Sequence, residues 1–393
     1  MTRRALFHVQ HLLGIGHVTR IAQVARETAA LGIEVTVLSG GGRLGLDWGG
    51  AEVRELPVAR ARDGSFKALV DASDRPLDAS FYERRRTLVL DAFEGIRPDV
   101  VLMESYPFGR RAFRAELDAL IAAAQARLPR AAVLVSIRDI LVAKSNPARY
   151  GEIAQRIQRD IDAVLVHGDR RLVDLGASFP AAREIADKLR YTGYVTNARD
   201  QERAEDRSHA GRGEVLVSAG GGAVGGPLLR AALAARPLTS LRNHVWRLIA
   251  GPNLPQADYD HLAKQLSTGI LLERFRGDFQ SLLRYCHLSL SQAGYNTILD
   301  VLQAGARAVV VPFAEGGETE QALRARLLAK RGLVHVVDAR ALSGPEGAAV
   351  LAEAVERALE ARAPVLGLLA LDGARRAAEY VAEFAALQKG TGR

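Results

Sequence analysis

The apolar positions of this chain fall in short unbroken runs separated by longer amphipathic stretches. Ala5 to Gln10, Ile33 to Leu38, Pro98 to Glu104, Ala132 to Ile137 and Ala163 to His167 are such runs in the first half. Glu214 to Ser218, Val245 to Ala250, Ile270 to Phe275, Cys286 to Leu290, Ala308 to Val311 and Val334 to Val337 follow in the second. A run this short, apolar throughout and bounded by turn residues, predicts a strand buried on both faces. The stretches between them predict helices over about Val18 to Leu31 (closed by Gly32), Ser80 to Gly95, Phe108 to Leu128, Pro227 to Ala235, Tyr295 to Ala304 (closed by Gly305) and one near Glu320. An amphipathic helix is expected within residues 367–387. Glu52 to Val58 reads as a short strand, and Ala59 to Pro76 is too polar to assign. Strands alternating with helices in this rhythm predict α/β architecture with parallel, doubly wound sheets.

At 393 residues and 48% hydrophobic content, the chain is long enough for two ordinary cores. The segment TNARDQERAEDRSHAGRG, from Thr196 to Gly213, is nearly free of large apolar residues and reads as a linker. The expected organisation is a domain over 1–195, the linker 196–213, a domain over 214–365 and a terminal segment over 366–393. Each half opens with a strand, a glycine loop and a helix.

The stretch from Ser289 to Gln321 holds the most chemistry. Gln292-Ala293-Gly294 turns a buried strand into a helix, and a second strand ends at Pro312 before the next helix near Glu320. Consecutive parallel strands release their loops at one sheet edge, so Gly294 to Thr297 and Phe313 to Gln321 are expected to share a crevice. The N–H groups of Gly294, Tyr295 and Asn296, backed by the helix dipole, suit a diphosphate. Asp300, a turn further on, could accept two ribose hydroxyls. A plainer reading stays open, in which Ser291 or Asn296 caps the helix and Asp300 is solvated. The run AGGGAVGG puts Gly220, Gly221 and Gly222 after another strand, where missing side chains would let backbone approach a phosphate or would simply make a surface loop. Near the N-terminus, Gly14-Ile15-Gly16-His17 suggests a dinucleotide fingerprint and fails it. Thr19 stands in the third glycine's place, and no acid lies between Val35 and Leu46.

Charge and cysteine use narrow the partners. The lone Cys286 cannot close an internal disulfide, which fits a reducing compartment. His8, Gln10 and His11 interrupt the apolar run that a signal peptide needs, and no 18-residue apolar stretch follows, so a cytoplasmic protein is expected. A net charge of +8 invites an anionic partner. No basic patch interleaved with aromatics suggests nucleic acid, which leaves nucleotides and membrane surfaces. Phe108 to Leu128 sets Arg110, Arg111 and Arg114 beside Phe113, Leu117, Leu120 and Ile121. That pattern fits peripheral contact with an anionic membrane, and equally a helix covering its own sheet.

The run GYNTILDVLQAGARAVVVPF followed by EQ resembles the donor-nucleotide motif of glycosyltransferases with the two-domain glycosyltransferase-B fold. Within that fold it looks like the family of the lipid-II-forming N-acetylglucosaminyltransferase and related bacterial predicted glycosyltransferases. The resemblance implies two Rossmann-like doubly wound domains facing a cleft, with the terminal segment returning to the first. It places the diphosphate on Gly294, Tyr295, Asn296 and Thr297, the ribose on Asp300, and sugar hydroxyls on Gln321 with Glu320 beside it. The family acid is usually Glu, so Asp300 is one methylene short. Gly220, Gly221 and Gly222 would face the diphosphate, and Arg274 and Phe275 the nucleobase. Gly14 to His17 resembles the family's G-x-G-H loop on the acceptor side. There Gly16 is expected among the donor contacts, and His17 deprotonates the acceptor hydroxyl. The dipole at a helix mouth lowers a histidine's pKa, which suits a base.

The activity implied is transfer of a sugar from a nucleotide-diphosphate sugar to a hydroxyl of a glycan or lipid-linked acceptor. No cofactor is expected, and there is no DxD motif to chelate a metal. Alternatives are a nucleotide-sugar hydrolase, for which Gly14 to Arg20 also matches a G-x-G-H-x-x-R loop, a 2-epimerase, and a non-catalytic module that binds nucleotide sugars without turnover.

Overall fold

The computed structural model describes residues 2–12, 16–62, 68–196, 210–220, 225–313, 319–362, 364 and 369–390. The chain divides into two compact units, Met1–Val195 with Ala370–Arg393, and Thr196–Leu369.

In unit 1, β1 (Arg4–Gln10) leads to α1 (Gly16–Ala30), β2 (Glu34–Gly40) and β3 (Glu52–Glu55). Two short strands, β4 (Arg60–Ala61) and β5 (Leu69–Val70), pair antiparallel in the region that the sequence left unassigned. Then come α2 (Ala79–Ile96), β6 (Val100–Glu104), α3 (Arg114–Ala126), β7 (Ala132–Arg138), α4 (Ala148–Asp160), β8 (Ala163–His167) and β9 (Leu189–Tyr191). The parallel sheet runs β3-β2-β1-β6-β7-β8-β9. Because β1 lies between β2 and β6, the order reverses there, and the carboxyl ends of β1 and β6 flank a topological switch point. Leu6, Val101 and Val133 point to one buried face, and Phe7, Val9 and Leu102 to the other, which explains why these strands read as continuous apolar runs.

The basic segment departs from its expected shape. Arg110 takes a φ of 57°, a left-handed conformation that a helix interior does not accept, and Arg111–Phe113 forms a single 3₁₀ turn before α3 starts at Arg114. Phe113, Leu117, Leu120 and Ile121 are all buried in the core of unit 1. The helix therefore covers its own sheet, and this apolar face is not presented to lipid. The expected strand from Glu52 to Val58 is shorter too, stopping at Glu55 on the sheet edge.

Unit 2 repeats the scheme with β10 (Val215–Ser218), α5 (Gly226–Ala235), β11 (Trp246–Ile249), α6 (Gln256–Ala263), β12 (Ile270–Glu273), α7 (Phe279–Tyr285), β13 (Leu288–Gln292), α8 (Tyr295–Ala304), β14 (Ala308–Val311), α9 (Glu320–Ala329), β15 (His335–Val336), α10 (Ala339–Leu342) and α11 (Gly347–Glu360). Its parallel sheet runs β12-β11-β10-β13-β14-β15, so the switch point lies between β10 and β13. One strand is displaced from its expected place. Cys286 caps α7 and β13 starts at Leu288, because the final turn of α7 accepts the Cys286 N–H through the Leu282 carbonyl.

The terminal helix α12 (Gly373–Gly390) packs in unit 1, with Ala377, Val381 and Ala385 in the cluster that contains Val18 and Ile21 of α1. Its approach is close, since a Cβ on Gly373 would meet the Gly193 carbonyl oxygen at 2.4 Å. Among the described residues, no helix is long and apolar enough to cross a membrane.

Candidate functional site

In unit 1, the switch point carries a compact group of charged side chains. His17 lies in the first turn of α1 and Glu104 is the last residue of β6, so the crossover from β1 brings them together at the carboxyl edge. His17 Nδ1 is 2.5 Å from Glu104 Oε1. Arg20, one turn along α1, donates to the same oxygen at 2.9 Å, the Ser105 hydroxyl donates at 2.5 Å, and Arg110 reaches Oε2 at 3.3 Å. Glu104 and Arg20 are buried, whereas the His17 side chain keeps 26% of its surface. The ring edge away from Glu104 is therefore the part left to meet a ligand.

The electrostatics set the protonation state. Burial lowers the His17 pKa, and the nearby guanidinia of Arg138 and Arg20 add to this, while Glu104 opposes it. Burial alone would raise Glu104, but His17, Arg110 and Arg20 outweigh it and hold the carboxyl well below its ordinary value. At neutral pH the pair is thus a neutral imidazole beside a carboxylate. The carboxylate takes the Nδ1–H, which leaves the Nε2 lone pair as the basic position. Gly16 belongs to the same neighbourhood, since a Cβ there would stand 3.2 Å from the Arg138 guanidinium. Gly14 lies outside the described residues.

In unit 2, the two glycine features meet at the switch point. Ser218 of β10 pairs in register with Ser291 of β13. Just beyond these residues, Gly220 adopts a φ of 69°, and a Cβ there would lie 3.8 Å from Gln292 Oε1. Gly221 and Gly222 lie outside the described residues. Gly294 is the N-cap of α8 with no side-chain cap, so neither Ser291 nor Asn296 plays that part. Ser291 is buried and shares a 2.7 Å hydrogen bond with Ser289, and Asn296 is exposed. Thr297 sits beside this turn, its Oγ1 3.9 Å from where a Gly294 Cβ would be.

The remaining expected contacts are partly occupied within the fold. Asp300 accepts a hydrogen bond from the Gln280 amide of α7. Gln321 Oε1 accepts the Phe313 N–H at 3.1 Å, tying the start of α9 to the end of the β14 segment. Glu320 is buried and bonded to Arg324 at 2.9 Å, and that guanidinium lies 4.9 Å from the Tyr295 ring. This links α9 to the α8 turn. Arg274 donates to the Leu254 carbonyl at 3.0 Å and covers the Tyr259 ring at 4.3 Å. Phe275 is 72% exposed, an aromatic face held just after β12.

Sequence reasoning gave no place in these sites to Glu104, Arg110 or Gln280, having read Arg110 only as part of a basic segment, and named Arg20 only as the end of the G-x-G-H-x-x-R loop. A signal existed for Glu104, because an acid closing a fully buried strand in a doubly wound sheet lies at the ligand edge. Arg20 sits one helical turn from His17, so it shares that face of α1.

Two parallel doubly wound units, each with its switch point at the carboxyl edge, make the glycosyltransferase-B fold, and solved structures share it across nearly the whole chain. They include the kitacinnamycin glycotransferase, with 15% identity, a TM-score of 0.61, 98% of this chain and 100% of that one covered. MurG of Acinetobacter baumannii is also similar, at 15% identity and a TM-score of 0.59 over 99% of this chain and 100% of that one. The spinosyn rhamnosyltransferase SpnG, solved with thymidine diphosphate, is similar at 17% identity and a TM-score of 0.57, with both chains covered completely. Residues 216–364 match the glycosyltransferase family 28 C-terminal domain, and residues 16–186 match a glycosyl transferase 4-like domain. The protein is a glycosyltransferase. No sequence among the curated proteins matches the chain.

Proposed function

We propose that unit 2 binds the donor at the β10/β13 switch point and that His17 of unit 1 is the base that activates the acceptor. The observation that supports the donor half most strongly is the convergence of the Gly220 and Gly294 turns on one edge, with a glycine, which has no side chain, at the N-cap of α8. The amides of a helix start and the helix dipole favour a dianionic diphosphate, and the absence of side chains at the two glycines lets the phosphates approach the backbone. Phe275 offers a face for the nucleobase, and Gln321 stands near the sugar. Asp300 takes the ribose hydroxyls by exchanging its Gln280 partner. Thymidine diphosphate in the similar SpnG structure is in keeping with a nucleoside diphosphate here.

In the reaction, the acceptor oxygen forms a bond to the anomeric carbon as the bond from that carbon to the diphosphate breaks. The acceptor proton passes to His17 Nε2, and Glu104 stabilises the imidazolium that results. The glycine amides and the α8 dipole carry the charge of the leaving diphosphate, so the transfer runs without a metal or a resident cofactor. The acceptor is a hydroxyl of a glycan or lipid-linked sugar. Peripheral contact with an anionic membrane on the cytoplasmic side fits a lipid-linked acceptor, with guanidinia rather than the buried α3 face making it.

A thermal-shift screen against nucleoside diphosphates and their sugars tests this directly. A cognate ligand at 100 times its Kd adds roughly 2.7 kcal/mol to stability. If no nucleoside diphosphate raises the melting temperature at millimolar concentration, the donor assignment is wrong.

A further inference from the structure

Unit 1 contains a second recess that takes no part in the chemistry above. It lies between the segment entering α3 and the outer side of α4, and its volume is about 260 Å³. Arg111, Arg114, Arg149, Arg156 and Arg159 line it against a single lining acid, Glu152. That volume is below the roughly 300–1,000 Å³ of sites that engulf a drug-sized ligand. It suits a small headgroup.

The fold has already spent part of this charge, and the remainder is what matters. Asp118 accepts from the Tyr106 hydroxyl, from Arg156 and from Arg114 Nε, the last at 3.0 Å. Asp160 holds Arg159. The guanidinia of Arg111 and Arg149 make no hydrogen bond or ion pair among the described residues. With Glu152, Asp118 and Asp160 set against the five arginines, two positive charges stay in excess within one small recess. The excess is felt nearby. Burial lowers the pKa of Lys144, whose ammonium donates to the Phe108 carbonyl, and Arg149 lowers it further.

Like charges gathered in a concavity repel one another, and the pairing of Arg114, Arg156 and Arg159 with Asp118 and Asp160 offsets only part of that repulsion. A polyanion would offset the rest. Arginine forks match the oxygens of phosphate in pairs, and a concave basic wall focuses the field on what enters. We propose that this recess is a binding site for a phosphate oxyanion, with Arg111 and Arg149 as its open forks and Arg156, held by Asp118 and stacked 5.2 Å from the Tyr106 ring, as its rigid floor. The oxyanion belongs either to a soluble phosphorylated ligand or to a lipid headgroup. Arg110, the neighbour of Arg111, contacts Glu104, so the recess is one residue removed along the chain from the His17 cluster.

The experiment uses the full chain and three variants. Isothermal calorimetry with inorganic pyrophosphate, at constant ionic strength set with sodium chloride, is compared for wild type, Arg149→Gln, Arg111→Gln with Arg149→Gln, and Gly294→Asp. The last places a carboxylate in the donor turn, where the extended backbone (φ −59°, ψ 148°) accepts any side chain. The site predicts at least a tenfold loss of pyrophosphate affinity in the double variant, a smaller loss in Arg149→Gln, and a retained class of binding in Gly294→Asp. Sedimentation with phosphatidylglycerol vesicles, against phosphatidylcholine vesicles, forms the second arm. Pyrophosphate binding that needs both arginines identifies a soluble phosphate, whereas binding confined to the anionic vesicles and lost in the double variant identifies a headgroup. Pyrophosphate and vesicle binding that both survive in the double variant, or pyrophosphate binding lost only in Gly294→Asp with no arginine-dependent vesicle binding, overturns the proposal. So does the absence of any binding in both arms.

Discussion

The two units present the same carboxyl edge and furnish it in opposite ways. At the β1/β6 switch point the edge is side-chain chemistry, with His17 and Glu104 paired at 2.5 Å and arginines closing around them. At the β10/β13 switch point it is mostly backbone, a left-handed glycine and a helix start with glycine at its N-cap, with its charged residues tied up in pairs such as Glu320 with Arg324. A proton acceptor needs a titratable group with a controlled pKa, and burial among charges supplies that control. A diphosphate is an anion already, so fixed amides suffice and a titratable neighbour would only add pH dependence. On the proposed reading, one fold offers two kinds of site, distinguished by what the loops after the strands contain.

The contrast breaks most visibly at His17. On the proposed reading, His17→Ala lowers kcat by roughly 10²–10⁴-fold with donor KM nearly unchanged. A variant that keeps its kcat at saturating donor and acceptor would strip unit 1 of its base. The next effect is at Asp300, where Asp300→Ala weakens nucleoside diphosphate binding by roughly 1.5–3 kcal/mol, the scale of a hydrogen bond to a charged group. Calorimetry decides it. If affinity holds while the melting temperature falls, Asp300 serves only to anchor Gln280 of α7.

Glu104→Gln sharpens the electrostatic side of the comparison. Loss of the orienting carboxylate lowers kcat, because the Nδ1–H loses the acceptor that fixes the tautomer and the imidazolium loses its counter-charge. The pH profile adds a sign. Glu104 raises the His17 pKa against the lowering by burial, so its removal moves the acid limb of kcat/KM to lower pH. In the wild type that limb is expected below the ordinary histidine value of 6.5, since burial lowers the His17 pKa. A limb that moves upward in Glu104→Gln contradicts the assignment.

The smallest effect separates two glycines. Gly220 has a φ of 69°, so Gly220→Ala destabilises the protein by roughly 1–2 kcal/mol in chemical denaturation. Gly294 has an ordinary φ of −59°, and an added Cβ would meet Thr297 Oγ1 at an unstrained 3.9 Å, so Gly294→Ala leaves stability nearly unchanged. A drop in diphosphate affinity for Gly294→Ala would then report close approach by the ligand. Equal affinity would mean that this glycine is there by accident of the turn.

Acid stability provides an independent check on unit 1. Glu116 is buried between Arg85, at 2.7 and 2.8 Å, and His8 at 3.0 Å. Burial would raise its pKa, but Arg85 and His8 override this and bring it down to about 2. A carboxyl depressed in this way contributes stability above its ordinary value of 4.5, and that contribution is lost as the pH falls toward 2. Glu116→Gln should flatten this part of the stability profile and, by leaving Arg85 without its buried partner, cost roughly 3–5 kcal/mol at neutral pH.

What the sequence determined by itself was the alternation of elements and the places where backbone must turn. Ala163–His167, Tyr295–Ala304 and Ala308–Val311 have the bounds expected from pattern alone, because an apolar run buried on both faces and a glycine in a left-handed cap are local signals. Local signals did not reveal that Arg110 turns left-handed and delays α3, or that β13 begins two residues after Cys286. Nor could they pair residues far apart in the chain. His17 and Glu104 are 87 positions apart, and only the crossover that sets β6 beside β1 brings the imidazole to the carboxylate. The same is true of Gln280 on Asp300 and of the basic recess, whose arginines come from α4, from the start of α3 and from the turn before it. Sequence pattern reports what each segment buries. Partner choice for a charge depends on which strands neighbour one another, and strand order is a property of the assembled sheet.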